Sequence, residues 1–406
     1  MLKPSQALSA VLSHCRMQPV ETVVLGKALG RVLARPIRAD RDVPPADRST
    51  MDGYAVRADD LRSVPRQLRL IGEVAAGSRS RPRVRPEMCA RIFTGANLPP
   101  GADAVAVVED TSEIAPNVIG FRSKVTRGEN VLRRGTNARK GQVLLEKGVR
   151  LGPQQIGVCA AVGADAVSVF QRPRVGVLCT GEELVAVSAR ATRHTQRDSN
   201  GPALRAALNA TGLAQCKTFG VARDNPAVLR RKVQAALERS DVLLLVGGVS
   251  AGRYDFVPRV LKDLGCREIF HGVAMKPGKP TLFALGPERQ LVFGLPGNPL
   301  SALTGFYEFV APALRKMSGL TGPPSPTIRV RLRSAIAAER TGRTRLFPVR
   351  LCFDPRDDLP AADPVATHGS ADVVAGGQCD GVVVLADGRT YEAGSIVEFH
   401  PWAMAL

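Results

Sequence analysis

DVLLLVGGVSAGRYDFVPRVLKDLGCREIFHGVAMKPGKP, residues 241–280, is the stretch whose reading decides the fold. It opens with an unbroken apolar run, Val242 to Val246, short enough for a strand and apolar on both faces, as a strand buried in a parallel sheet is. The chain then turns through Gly247-Gly248-Val249-Ser250-Ala251-Gly252 into an amphipathic helix whose Pro258 is tolerable only in the first turn. Glycines there permit φ > 0 and close approach to a ligand, and a helix start offers unpaired N–H groups to an anion. A Lys276-Pro-Gly-Lys279 turn after the next strand adds two cations. The pattern reads as an anion cradle for phosphate. It fits neither the Walker spacing nor the dinucleotide fingerprint, and strand–helix turns also need glycine for steric reasons alone, so the rest of the chain must decide.

Outward from this stretch, residues 173–316 alternate strand and helix. RVGVLCTGEEL (174–184) is strand then turn, and RDSNGPALRAALNATG (197–212) is turn then a helix ending near Gly212. CKTFGVARDNPAVLRRKVQAALERS (216–240) supplies strand, turn and helix. QLVFGLPGNPLSALTGFYEFVAPALRK (290–316) closes the series, with Asn298 as N-cap and Pro299 at the first helical position. Such alternation predicts a twisted, doubly wound, mostly parallel sheet with helices on both faces. Polar residues gather at the carboxyl ends of its strands: Thr180, Glu182, Glu183, Asp198, Ser199, Asn200, Asp224, Ser250, Asp255, Lys276, Lys279 and Asn298. Ligands bind in the crevice outside those ends. Asp224-Asn225-Pro226 also suits a helix N-cap, which is the plain structural alternative for Asp224.

On the N-terminal side, PSQALSAVLSHCR (4–16) places Ala7, Leu8, Val11 and Leu12 on one helical face, with Ser5 as N-cap. Residues 20–40 read as a short strand and helix, and the polar, proline-broken loop at 42–56 reads as a domain entry. Residues 57–127 are short alternating strands punctuated by Gly and Pro, as in LRLIGEVAAGS (68–78), ARIFTGANLPPGADAVAVVED (90–110) and NVIGFRSKV (117–125): a small β-rich, barrel-like domain. LGPQQIGVCAAVG (151–163) is a short helix with which the first domain resumes. After the Pro-rich linker at 321–326, TIRVRLR, TRLFPVRL, DGVVVLADG and SIVEFHP are again strands. The expected division is 1–48 with 128–172, an insertion at 49–127, an α/β domain at 173–320 and a C-terminal β domain at 327–406. The fold class is mixed α/β and multidomain.

Composition bounds the function. The chain has 406 residues, 44% of them hydrophobic but only 4% aromatic, so its cores must be built from Val, Leu and Ala. The net charge of +19 is arginine-heavy, yet the arginines are scattered without aromatic interleaving or a reader motif, and no nucleic-acid partner is expected. A compact anionic substrate accounts for the basic balance as well. The eight cysteines are far apart with no CxxC pair, which suggests neither a zinc site nor a disulfide framework. His194, His271 and His400 show no metal spacing. No signal sequence and no run near 18 apolar residues is present, so the expectation is a cytoplasmic protein with no membrane partner.

Seven stretches now stand together: Ser49-Thr-Met-Asp52-Gly-Tyr-Ala-Val56, Arg91-Ile-Phe-Thr94-Gly-Ala, Thr180-Gly-Glu-Glu183-Leu, Asp198-Ser-Asn200-Gly, Gly247-Gly-Val-Ser250-Ala-Gly252, Met275-Lys-Pro-Gly-Lys-Pro280 and Leu295-Pro296-Gly-Asn298-Pro299. With these, the chain resembles, over essentially its whole length, the molybdopterin molybdenumtransferases, molybdenum-insertion proteins related to the E domain of gephyrin. The resemblance implies four domains in an elongated homodimer, with the site between the α/β domain of one subunit and the insertion of the other. It implies divalent-metal-dependent hydrolysis of adenylylated molybdopterin and insertion of molybdate at the dithiolene, with transfer of the product to molybdoenzymes or their chaperones.

The residue types suit that chemistry. Gly247, Gly248, Ser250, Gly252, Lys276 and Lys279 would spread the charge of a pyrophosphate. Asp224 and Asp255 would hold Mg2+ or another divalent cation. Glu183, Asp198, Ser199, Asn200, Pro296 and Asn298 would orient pterin or molybdate, and Asp52 and Thr94 would reach in from the partner subunit. The sequence departs from the family at four places. Asn137 stands where an acidic residue is usual, Arg253 where Asp or Glu is common and Gly272 where lysine is common, and the glycine-serine turn at 369–372 is abbreviated. Asn137 and Gly272 favour a second reading, a paralogue that binds molybdopterin or finished cofactor as carrier or scaffold without turnover. A third, the preceding adenylyltransferase step, needs neither the insertion nor the tail.

Overall fold

Five consecutive apolar residues, Val242 to Val246, leave no side of a strand fit for water, and the fold buries all five to 1% exposure or less. The computed structural model describes residues 1–250 and 255–402; the expectations for Ala251, Gly252 and Arg253 fall outside them. The strand occupies the middle of a six-stranded sheet made of β1 (Arg174–Thr180), β2 (Gln215–Ala222), β3 (Val242–Val246), β4 (Arg267–His271), β5 (Leu282–Leu285) and β6 (Leu291–Leu295) in the order β2-β1-β3-β6-β5-β4. The first four strands run parallel, while β5 and β4 are antiparallel additions at one edge. Alternation along β3 sends Val242, Leu244 and Val246 into one core and Leu243 and Leu245 into another. The helix Asn200–Thr211 packs Leu204 and Leu208 into the first core; the helices Pro226–Leu237 and Val257–Asp263 pack Leu229, Val233, Val257 and Val260 into the second. Helices therefore cover both faces, and the mixed α/β, doubly wound class is observed.

By its contacts the chain falls into two units, one comprising Met1–Arg35, Lys147–Gly152 and Ala166–Leu406, the other Pro36–Glu146 and Pro153–Asp165. Besides the central sheet, the first unit holds a second six-stranded sheet. Five of its strands are Ile328–Leu332, Thr344–Cys352, Ala361–Pro364, Gly381–Leu385 and Ile396–Pro401, around a core of Val330, Val349, Val383 and Phe399. The sixth is the two-residue strand Met275–Lys276, which pairs in parallel with Thr344 and Arg345 and so ties the lysine-bearing turn to this sheet. The second unit is built on a six-stranded sheet in the order Ala104–Val107, Gly53–Val56, Met88–Ile92, Arg66–Val74, Val118–Phe121, Thr111–Ala115, filled by Tyr54, Leu61, Leu68, Ile119 and Phe121.

Two local expectations are corrected. The first helix, Pro4–His14, has Lys3 and not Ser5 as N-cap. Pro4 has no N–H to satisfy and fits the first helical position, which moves the cap back two residues, to Lys3. Of the expected face, Ala7 and Val11 are buried, while Leu8 and Leu12 are half-buried. Residues 20–40 hold the strand Val20–Val24 but only a three-residue 3-10 turn, Leu25–Lys27, because Gly26 and Gly30 within LGKALG disfavour an α-helix.

Truncating the central strand should be costly. Leu244→Ala removes a side chain with 0% exposure, and the expected loss is about 2–5 kcal/mol in urea unfolding of the unit, with an unchanged m-value. A loss below about 1 kcal/mol would mean that the core closes over the cavity.

Candidate active site

In-register pairing sets the carboxyl ends of three strands level: Cys179 lies beside Val246, and Val246 beside Leu295. Thr180, Gly247 and Pro296 follow at one edge. Gly247 N–H donates to the Leu295 carbonyl at 3.0 Å, which closes the turn against β6. Gly247 and Gly248 take φ +91° and +64°. A Cβ on Gly247 would lie 2.6 Å from the Thr180 carbonyl oxygen, and one on Gly248 2.9 Å from Thr180 Oγ1, so both positions require glycine. His271, which shows no metal spacing, has a structural part: its Nε2 donates to the Val249 carbonyl at 2.6 Å and anchors the turn from β4. The start of the helix Val257–Asp263 offers less to an anion than expected, because Val257 N–H donates to the Gly248 carbonyl at 3.2 Å.

Around this turn lies a cavity of about 640 Å3 whose lining includes Thr180, Glu183, Asp224, Ser250 and Asp255. Thr180 is 4% exposed, and its Oγ1 is buried without a hydrogen-bond partner. Such a hydroxyl is costly to leave unmet, and a ligand atom in the cavity would meet it. The capping reading of Asp224 is removed, since Asn225 is the cap and its Oδ1 accepts from Ala227 N–H at 3.0 Å and Val228 N–H at 3.1 Å. Asp224 is latched instead to the β1 turn: its N–H donates to Glu182 Oε1 at 2.9 Å, and its Oδ2 accepts from Glu182 N–H at 3.3 Å. Burial raises the Asp224 carboxyl above its usual range; that hydrogen bond from Glu182 opposes the shift, and the charges of Glu183, Glu182 and Asp255 add to it. A concentration of negative charge is thus built into one side of the cavity.

Most of the residues singled out from the sequence meet here. Ser199, Asn200, Gly247, Gly248, Pro296 and Asn298 also line the cavity. Asn200 Nδ2 donates to the Gly297 carbonyl at 2.6 Å, and Asn298 Nδ2 donates to Ser370 Oγ at 2.7 Å. Asp198 is placed elsewhere, in a separate cavity with Cys179 and Arg205, where its Oδ1 accepts from Gly201 N–H at 2.9 Å. Lys276 and Lys279 line an adjoining cavity of about 500 Å3 that shares Pro280, Pro296 and Asn298 with the first. Lys276 is ion-paired with Glu339, whose carboxyl that contact holds below its usual range, so Lys279 is the more accessible cation. Arg343 and Arg345 line the same cavity and were missed in the sequence. Only the parallel pairing of residues 275–276 with 344–345 brings them near.

Asp52 and Thr94 belong to the other unit. Asp52 Oδ1 accepts from both the N–H and the hydroxyl of Thr94, each at 2.7 Å, and these bonds lower the Asp52 carboxyl below its usual range. Thr94 lines a cavity of about 520 Å3 with Arg41, Arg48 and Asn137, so one departure from the family pattern lies on a cavity that carries an expected site residue. Gly272 takes φ +98°, a conformation that disfavours the lysine common in the family. Among the described residues, no group of three or more His, Cys, Asp and Glu side chains is placed to hold a metal ion by itself.

Residues 2–163 match the family described as MoeA N-terminal region (domain I and II), and residues 176–316 match the one described as probable molybdopterin binding domain. The chain is 33% identical over 381 residues to a molybdopterin molybdenumtransferase of Nostoc sp., spanning 92% of this chain and 86% of that protein. It is 30% identical over 406 residues to the molybdopterin molybdenumtransferase of Synechocystis sp., spanning 99% and 100%. Among solved structures, a molybdopterin biosynthesis MoeA protein from Pyrococcus horikoshii is similar with a TM-score of 0.83 and 33% identity over 99% of each chain.

The acidic side of the cavity gives a pH test. Because Asp224 has a raised pKa in the fold, its ionised form costs folded-state stability above that pKa, and the cost vanishes once pH falls below the ordinary aspartate value. Asp224→Asn should therefore raise the thermal midpoint of the metal-free protein at pH 7, and the gain should shrink as pH is lowered toward 4. A gain that grows on acidification would show that the carboxylate is stabilised in the fold.

Proposed function

The chain belongs to the molybdopterin molybdenumtransferase family, enzymes of molybdenum cofactor biosynthesis, and from that premise we propose that it hydrolyses adenylylated molybdopterin in a Mg2+-dependent step and inserts molybdate at the dithiolene. The observation that supports this most is the joining of two contrasting surfaces at the strand ends. The cavity at the glycine turn brings hydroxyls and carboxylates, and the adjoining one brings Lys279, Arg343 and Arg345. A pterin diphosphate needs both, since its phosphates seek cations and hydroxyl donors while a hard metal seeks carboxylate oxygen.

In this reading Ser250 and Thr180 donate to oxygens of the bridging phosphates, and the positive-φ glycines let the backbone come close to them. Asp224 and Asp255 hold Mg2+. Fewer than three carboxylates suffice, because Mg2+ keeps several waters and is commonly bound by one or two carboxylates plus substrate phosphates. When bound, the ion would draw off charge that develops on the phosphates as water attacks phosphorus and AMP leaves. Glu183, Ser199, Asn200, Pro296 and Asn298 orient the pterin and the incoming molybdate, and Lys279 neutralises phosphate charge from the adjoining cavity. Asp198 and Lys276 act from outside the main cavity, on Gly201 and Glu339 respectively. In a homodimer, Asp52 and Thr94 would come to this site from the partner subunit. The reaction would run in the cytoplasm and pass its product to molybdoenzymes or their chaperones. No helix among the described residues is long and apolar enough to cross a membrane.

Asn137, on the Thr94 cavity, and the Gly272 backbone favour the second reading, a carrier that binds without turnover. The adenylyltransferase reading is weakened by the match over residues 2–163, which such an enzyme does not need.

Purified protein with adenylylated molybdopterin, Mg2+ and molybdate should release AMP. Release should stop when the metal is chelated and fall about 10²–10³-fold in Asp255→Ala, the scale of losing one charge-stabilising group. Binding without AMP would favour the carrier, and Asn137→Asp should then raise activity if the missing charge is the cause.

A further inference from the structure

A further cavity, of about 110 Å3, lies in the first unit. Its walls come from the helix Asn200–Thr211, the helix Ala311–Met317, the Pro-rich linker at 324–326 and the end of the strand Ile396–Pro401. None of the catalytic groups assigned above lines it. Its polar lining is Arg150, Thr211, Tyr307, Arg315, Ser325 and His400, and no lining residue is acidic.

Three observations show that this lining is short of an anion. Arg315 Nε and Ser325 Oγ are buried without hydrogen-bond partners. Burial, and then the like charge of Arg150, hold the Arg315 guanidinium below the usual arginine range. The carboxylates that reach the lining residue His400 are already engaged with it: Glu308 accepts from His400 Nδ1 at 2.9 Å, and Glu398 stands 3.5 Å from His400 Nε2. Among the described residues, the partner of Arg150 is a backbone carbonyl, that of Thr211, at 2.8 Å. Two half-buried guanidinium groups facing one cavity, with no acidic side chain among the described residues of its lining, leave a Coulomb cost that an anion would relieve.

We propose that this cavity binds one small tetrahedral oxyanion, held between the guanidinium groups of Arg150 and Arg315 and the hydroxyl of Ser325. Guanidinium forks match the paired oxygens of such an ion, and a hydroxyl supplies a further donor. The size is suitable: one water needs about 10–15 Å3, so 110 Å3 admits a four-oxygen ion together with several waters. Molybdate, inorganic phosphate and sulfate share this chemistry. The linker at 324–326 forms part of the wall, so an occupied cavity would also fix the junction ahead of the C-terminal sheet.

The test is calorimetric titration of the full chain at low ionic strength with molybdate, phosphate and sulfate separately, repeated on Arg315→Gln, Ser325→Ala and the cleft variant Ser250→Ala. At least one of the three ions should show saturable binding that survives Ser250→Ala, and the tightest identifies the natural ion. Arg315→Gln should weaken it about 10- to 100-fold, the worth of one hydrogen bond to a charged group, and Ser325→Ala by a smaller factor. Should Arg315→Gln fail to fold, Arg150→Gln and Ser325→Ala report the same loss. The proposal is overturned if none of the ions binds saturably, or if binding is unchanged in the arginine and Ser325 variants, whatever the effect of Ser250→Ala.

Discussion

The hydrogen-bonded parallel register of β1, β3 and β6 is the constraint on which the rest depends. It sets Cys179, Val246 and Leu295 side by side, so the residues that follow them emerge at one level. Each emerging segment is then fixed by a contact to a neighbour: Gly181 N–H to the Ala222 carbonyl at 3.2 Å, and Gly247 N–H to the Leu295 carbonyl at 3.0 Å. With side chains buried on both faces of β3, a slip of one residue would exchange the two cores, so the register cannot drift. Precision at the cavity is inherited from packing beneath it.

Charge is sorted on this frame against the character of the chain. A protein with a formal net charge of +19 gathers Glu182, Glu183, Asp224 and Asp255 around one cavity, while Lys279, Arg343 and Arg345 stand on the adjoining one. The acidic side is unfavourable for the empty fold, as the raised Asp224 pKa shows, and becomes favourable once a cation arrives. On the basic side Glu339 engages Lys276 and Arg345, while Lys279 and Arg343 stand on the same cavity wall. The same logic, carried to an arginine pair with no carboxylate, underlies the anion site beside the linker at 324–326.

Features set by a few neighbouring residues were legible in the sequence. The apolar run at 242–246, the glycine turn, the helix stop at Gly212 and the Asn298-Pro299 start are all such features, and all are observed. The reading failed where the deciding partner is remote or a neighbour competes. Ser5 loses the cap because of Pro4, and Asn225 takes the capping role for which Asp224 is also a suitable residue type. Lys276 is paired with Glu339, sixty-three positions on, and Arg343 and Arg345 join the neighbouring cavity through a strand pairing with no local signal. His271 anchors the glycine turn from an antiparallel edge strand, a contact that metal spacing could not reveal.

We propose that the level strand ends form the binding place of a pterin diphosphate. A crystal of this protein grown with adenylylated molybdopterin tests it most directly. The account predicts density for the bridging phosphates within hydrogen-bond reach of Thr180 Oγ1 and Ser250, with any bound cation on Asp224 and Asp255. Density for the diphosphate elsewhere, with Thr180 Oγ1 still unpartnered, would contradict it.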